Sequence, residues 1–458
     1  MSRLQPVSAL ALLALVLAAA VAAEREIGPA PLGTGPPGAA PSGAWHCPHG
    51  GGPEGWEVSL QVANPGSEPA TVRVRSFGPR RPTAPETFTV DPGAFVRIPV
   101  PAEGRDRGAT VEWFGQWVAV GWVAHAGGGE GGVAAEPCAA AASDRWLLPD
   151  GTTETERNDD LVVVMNPFAR DAVFSLTLLS ERQAPVRMGE LTDVVLRSQR
   201  AVTLRLNDAV LGERTVSTLV EASVGRVVAA TLGVSTIGGI RAGLGYPGTP
   251  APSLVLPGAG DAGRTELAVM SPGTERVGIV GELLSDDAEQ PFAGLADAAP
   301  RGESGRTFPA STEGPTAVAF VSQAAGPAPA RRTYGVVSDQ GSTIGAEPEA
   351  AWVVLPAVFG EPSRPGLVLA NPAGEPAKVT LTFLSPGGAD PVVVTVPPRR
   401  SATVPRAFLE AAPEGAVLAV ASSGTFVPAS ASYSRGREGI AAYAVSLGVP
   451  IPSAWIPG

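Results

Sequence analysis

A chain of 458 residues with a formal charge of −11 and no basic stripe lacks an electrostatic footprint for nucleic acid. Only 17% of its residues are charged, which excludes a coiled coil or a charged disordered chain, and its length accommodates about three or four domains. With 56 Gly and 47 Pro, long helices are interrupted and short strands joined by turns are favoured.

Residues 1–23 read as a secretory signal peptide. Arg3 supplies a positive start, and Val7–Ala23 is a small-apolar run whose only polar member is Ser8. Ala20-Val21-Ala22 and Val21-Ala22-Ala23 are both small-x-small cleavage sites. The alternative is an uncleaved anchor helix, because a run of about 17 apolar residues is at the lower limit for crossing a bilayer. Residues 24–44, rich in Pro, Gly and Ala, read as a flexible linker.

The rest of the chain carries two ladders of one period. The first is an apolar strand ending in Asn-Pro: Asn64-Pro65, Asn166-Pro167 and Asn371-Pro372, with Ser271-Pro272 as the fourth copy, at steps of 102, 105 and 100 residues. The second is a W-x-x-P mark opening at Trp45, Trp146, Trp352 and Trp455, with Leu254–Pro257 in place of the Trp form. Matching periods in two unrelated marks indicate tandem repeats.

Within each repeat, alternating segments such as Glu57–Val62 have the period of a half-buried strand. Asn-Pro ends that strand, since proline drives the preceding residue out of the helical region and Asn caps the turn. A second strand follows, then hairpins at Phe88–Ile98, Val194–Leu206 and Val392–Val404, then a strand pair around a Gly. Seven or eight short strands per 100 residues, roughly, predict an immunoglobulin-like β-sandwich. The fold class is therefore all-β: four tandem sandwiches at 45–145, 146–252, 253–351 and 352–458. The third is degenerate, with a loose insertion expected over 284–314. The W-x-x-P mark has two readings, a strut shared at each domain junction or a strand of one unit, the question turning on Trp455.

Cys47 and Cys138 are the only cysteines, and an even pair in an exported chain reads as a disulfide. Closing a loop of this length stabilises by up to roughly 4–5 kcal/mol on the chain-entropy argument. His46 and His49 beside Cys47 invite a zinc reading, but the spacing is poor and a fourth ligand is missing, so no metal and no cofactor are expected.

Catalytic patterns are absent. There is no G-x-S-x-G elbow and no Walker loop, and the letters G-x-G-x-x-G at 127–132 and 243–248 open no helix. Asp159 and Asp160 are adjacent on a strand and point to opposite faces. Aromatic enrichment of the first repeat is the one binding signal. Trp56, Trp113, Trp117 and Trp122 are candidates for an exposed platform for sugar rings or a protein partner, the alternative being that they fill a core.

The pattern W-x-x-P … N-P-x-x-x-x-A-x-V at a spacing of about 100 residues, behind a signal peptide, resembles a family of secreted actinobacterial proteins of unknown function. The resemblance runs over residues 45–457, departs at Ser271 and Leu254, and implies an extracytoplasmic β-repeat protein with no active site to carry over. The expectation is an exported non-catalytic scaffold of the cell envelope or extracellular space. Its partner would be an envelope glycan or another envelope protein, with membrane contact only through an uncleaved N-terminal anchor. The alternatives are a carbohydrate-binding module using the first-repeat aromatics and, third, a secreted hydrolase.

Overall fold

Eight strands form the first unit: β1 (Ser42–Gly50), β2 (Glu57–Asn64), β3 (Ala70–Phe77), β4 (Glu86–Val90), β5 (Ala94–Val100), β6 (Arg107–Phe114), β7 (Ala119–His125) and β8 (Val133–Pro137). The computed structural model describes residues 41–456 except 80–81, 128–130, 156–157, 236–238, 259–263, 287–288, 293–294, 296–297, 311–315, 335–339, 358–362, 386–388, 413–414 and 436–440. The signal peptide and nearly all of the linker lie outside the described residues.

Period-2 patterning decides the faces. In β3, Ala70, Val72, Val74 and Ser76 are buried while Thr71 is exposed and Arg73 and Arg75 are half-buried. The strands pair as two antiparallel sheets, β1-β6-β3-β4 and β5-β2-β7-β8. β3 pairs with β4 and β6, and β2 with β5, as in an immunoglobulin Greek key. The outer positions differ from that order. The first strand, β1, lies beside β6, where an immunoglobulin domain has its last strand. The same 1-6-3-4 and 5-2-7-8 order recurs in all four units.

The expected hairpins are corrected by the pairing. β4 and β5 are consecutive and joined by the turn Asp91–Gly93, yet β4 pairs with β3 and β5 with β2. The turn arches between the two sheets. Alternation tells which face of a strand is buried, but both sheets of a sandwich satisfy it equally. The third unit is also less loose than expected. Glu289–Pro291 and Ser304–Ala310 fill the places of β4 and β5, and Phe292 and Leu295 between them are fully buried.

Both ladders have physical causes. Asn166 is fully buried, and its Nδ2 donates to the carbonyls of Arg170 (2.8 Å), Leu196 (3.1 Å) and Arg197 (3.3 Å), while its Oδ1 accepts from the Phe168 amide. Asn371 makes the same set with Glu375, Val396, Pro397 and Ala373, and Asn64 makes it with one donated bond fewer, to Glu68 and Val90, while accepting from Gly66. Each Asn therefore staples its own turn to the end of a distant strand. The Trp indoles act alike: Trp45, Trp146 and Trp352 donate to the carbonyls of Val118, Val227 and Phe426 at 2.7–2.8 Å. These bonds lie within one unit, so the W-x-x-P strand is not shared between neighbours.

The four units close on one another. The inner edge strands β8, Gly239–Leu244, Gln340–Ile344 and Ala441–Leu447 touch in cyclic order, the fourth returning to the first. Each unit's 1-6-3-4 sheet lies on the 5-2-7-8 sheet of the next. At the first joint β1 covers the strands Asn158–Asn166 and Val228–Ser235. At the last joint Leu355 sits over Gly121, where a Cβ would meet its Cδ1 at 2.7 Å, and Gln61 donates to the Pro356 carbonyl at 2.7 Å. Trp455, in a short 3-10 turn, meets the Trp113 ring edge-on at 5.9 Å. The fifth mark is thus neither a shared strut nor a strand: it fastens the fourth unit to the first.

Candidate functional site

The four tryptophans proposed as a platform are buried. Trp56, Trp113, Trp117 and Trp122 expose 2–4% of their surface. Trp113 lies under Trp455 and against Gly43, Trp117 packs on Trp45 at 6.1 Å, and Trp122 faces His49 at 6.2 Å. The Arg105 guanidinium sits 5.0 Å above Trp56. Opposite parity on one strand would expose Trp117 or Trp122 only if one face of the sheet met water, and Trp117 lies two residues before β7 instead of on it. Here one face packs inside unit 1 and the other against Ala357 and Ala444 of unit 4, so every residue of β7 is buried.

Cys47 and Cys138 form the disulfide. It sits where the unit closes on itself, since His46 and Ala139 exchange backbone hydrogen bonds of 2.8 Å. The same closure joins Leu147 to Tyr246, Val255 to Ala346 and Val353 to Val449 in the other units. The pairs equivalent to the cysteines are Leu148/Gly245, Leu256/Gly345 and Val354/Gly448. Glycine there leaves room for the opposing side chain: a Cβ on Gly245 would lie 2.4 Å from Leu148.

Three ionisable groups are buried in unit 1 near the first joint. Burial pulls His46 down to about 4, against the opposing charge of Glu112. Its Nδ1 shares a hydrogen bond with Thr110 at 3.1 Å, and its ring meets Phe168 of unit 2. Burial, helped by Arg107, pulls His49 down to about 3, and neither ring nitrogen has a hydrogen-bond partner. Glu136, cross-strand from Trp122, is pushed well above the carboxylate range by burial, opposed only by the Leu244 backbone amide. Both imidazoles are therefore neutral at neutral pH, and burial favours the protonated form of the Glu136 carboxyl. No zinc set forms, because Cys47 is oxidised and the described residues hold no cluster of three or more metal-ligating side chains.

A second cluster spans the joint of units 2 and 3. Arg241 bonds Asp160 at 2.6 Å and approaches Asp150 at 3.4 Å; Arg332 bonds Asp150 and approaches Glu266 at 3.6 Å; Arg214 bonds Glu266 at 2.5 Å. Burial alone would raise Asp150, but Arg332 and Arg241 beside it hold it at about 2. Three carboxylates face three guanidinium groups, so the charges cancel and each acid is engaged. Such a cluster fixes how two units meet and has no acid free to act as a base. Asp159, on the other face of its strand, pairs with Arg205 at 2.7 Å.

Two open concavities lie on the outer edge of unit 1. One of about 440 Å³ is lined by Trp56, Glu57, Ser59, Pro101, Glu103 and Arg107. Another of about 370 Å³, lined by Glu86, Phe88, Thr89 and Arg97, shares Pro99 with it. Neither contains His46, His49 or Glu136, so the groups with shifted pKa values do not face the grooves. The buried ion cluster and Glu136 escaped sequence reading because their charged or backbone partners are 52 or more residues away in the chain.

Residues 106–302 match a family described as of unknown function, DUF5719. The match begins near β6 of unit 1 and ends within unit 3. No curated protein sequence matches the chain. A crystal structure of a tetra-tandem repeat in the extending region of a large adhesion protein aligns over 84% of this chain and 92% of that chain, at 12% identity and a TM-score of 0.09, a superposition too poor to relate the two arrangements.

Proposed function

We propose that the chain is an exported, non-catalytic interaction scaffold of the cell envelope or extracellular space. The reading includes a secreted actinobacterial origin and export directed by residues 1–23. The observation behind it is where the repeat marks are used. Asn64, Asn166, Asn371, Trp45, Trp146 and Trp352 bond their own units, Trp455 fastens unit 4 to unit 1, and the buried acids are neutralised or paired. The disulfide is in keeping with an oxidising compartment. No described helix is long and apolar enough to cross a membrane. Fractionation of the native cell with crosslinking tests the reading, the expected result being the chain in the envelope or medium, crosslinked to an envelope component. Hydrolysis of cell-wall glycan by the purified protein, lost on changing one carboxylate, would overturn it.

A glycan-binding reading survives in altered form. The grooves on unit 1 combine apolar walls with Glu57, Ser59, Glu103 and Arg107, whereas the buried Trp113, Trp117 and Trp122 offer no ring face. Filling the larger groove with Ser59→Trp should abolish glycan binding; unchanged binding would remove this reading.

A further inference from the structure

We propose that unit 1 is built to carry tension from the N-terminal side of the chain, with the disulfide as a bypass that takes most of the unit out of the load path. The inference rests on the reading of the chain as an envelope scaffold, and adds to it that load reaches unit 1 through the residues before Ser42.

Three features meet on the strand through which the chain enters. β1 spans Ser42–Gly50, whereas its counterparts are only Arg145–Leu148, Ser253–Pro257 and Ala351–Val354. The two residues it adds at its N-terminal end pair directly, Ser42 with Phe114 and Gly43 with Trp113, ahead of Ala44 opposite Glu112. The ladder is antiparallel and runs on without a shift to Cys47 opposite Ala109, so a pull along the strand at Ser42 shears all of these hydrogen bonds together. Gly43 lies flat on the Trp113 indole, where even a Cβ would come within 2.7 Å of the ring. The same indole is covered by Trp455, so the entering strand and the closure of the ring share one side chain.

At Cys47 the load meets the bond to Cys138, 91 residues further along. Beyond Cys138 the chain runs through Ala139, itself paired to His46, into unit 2. Force therefore passes from Ser42–Cys47 across the sulfurs to the second unit, and residues 48–137, whose β6 only flanks the loaded strand, are excluded from extension. A staple needed for folding should recur in every unit. Leu148/Gly245, Leu256/Gly345 and Val354/Gly448 take its place in units that build the same sheets, so packing at this position does not require it. The bond occurs only in the unit at which the chain enters.

The double variant Cys47→Leu, Cys138→Gly installs the pair of units 2 and 3 and tests the proposal by single-molecule pulling. The full chain is held through its N-terminus and through a handle inserted after the exposed Thr249. Wild type should show no step from unit 1. The variant should keep its folded state at zero force and add a step of about 300 Å, the extended length of the excluded residues, at lower force than any wild-type event. Pulling between Thr249 and residue 456, with the bond off the path, should leave the two proteins alike. The proposal is overturned if the added step comes at or above the force of the unit 2 event. It is also overturned if the variant is unfolded without load, which would make the bond a folding staple. Location is read separately by fractionation, so failure of the scaffold reading leaves the force result interpretable.

Discussion

Replacing Asn166 with Ala tests the reason for the Asn-Pro ladder. The side chain is fully buried and makes three donated bonds and one accepted bond. Each contributes about 0.5–1.5 kcal/mol net, and a buried carbonyl left without a partner costs about 1–3 kcal/mol. The Leu196 bond is the fully buried one, and water can reach the part-buried carbonyls of Arg170 and Arg197 after the change. The expected loss is about 2–4 kcal/mol, confined to unit 2. Hydrogen exchange followed by mass spectrometry is the suitable assay, because a chain of four units need not unfold in one step. Amides of 166–172 and 194–200 should lose protection while those of unit 4 keep it. Asn166→Ser should cost less, since Ser271 holds the equivalent place in unit 3. A loss below about 0.5 kcal/mol, or one spread evenly over all units, would refute the stapling argument.

Four further outcomes are expected. Arg332→Met should cost about 3–5 kcal/mol, because it leaves Asp150 and Glu266 buried with half their compensation; restoration on adding Glu266→Gln, in a double-mutant cycle, checks that the loss is ionic. Acid should destabilise unit 1 first. His46 and His49 have folded pKa values of about 4 and about 3, below the ordinary 6.5, so their stabilising contribution is complete above 6.5 and falls as pH drops from there toward those values. At pH 5 the loss is about 2 kcal/mol for each, and urea titrations of His49→Leu should show a shallower pH slope than wild type. Glu136 acts in the opposite sense: with its folded pKa raised, ionisation works against folding above 4.5, so Glu136→Gln should stabilise at pH 7 and not at pH 4. Trp455→Ala should cost about 2 kcal/mol for a half-buried aromatic and loosen the joint of units 4 and 1, seen as faster exchange at Gly121 and Val123.

The residues alone determined a good part of this protein. Strand patterning, Gly and Pro density and two ladders of one period fix an all-β chain of four similar sandwiches, because alternation and turn chemistry are local properties. The cysteine pair was readable for a related reason: two cysteines leave one partner each. Tertiary structure decided what those marks are for. Asn166 reaches Leu196 and Trp146 reaches Val227, contacts that no local pattern specifies. It also decided which sheet each strand joins, since β4 and β5 are consecutive in the chain and have separate partners. Most of all it decided exposure. A strand in a lone sandwich shows one face to water, and on that premise Trp117 and Trp122, read as one strand, divide between core and surface. Closing four units into a ring covers the second face of β7, Trp117 lies before that strand against Trp45 of its own unit, and two open grooves fall at the outer edge of the first unit.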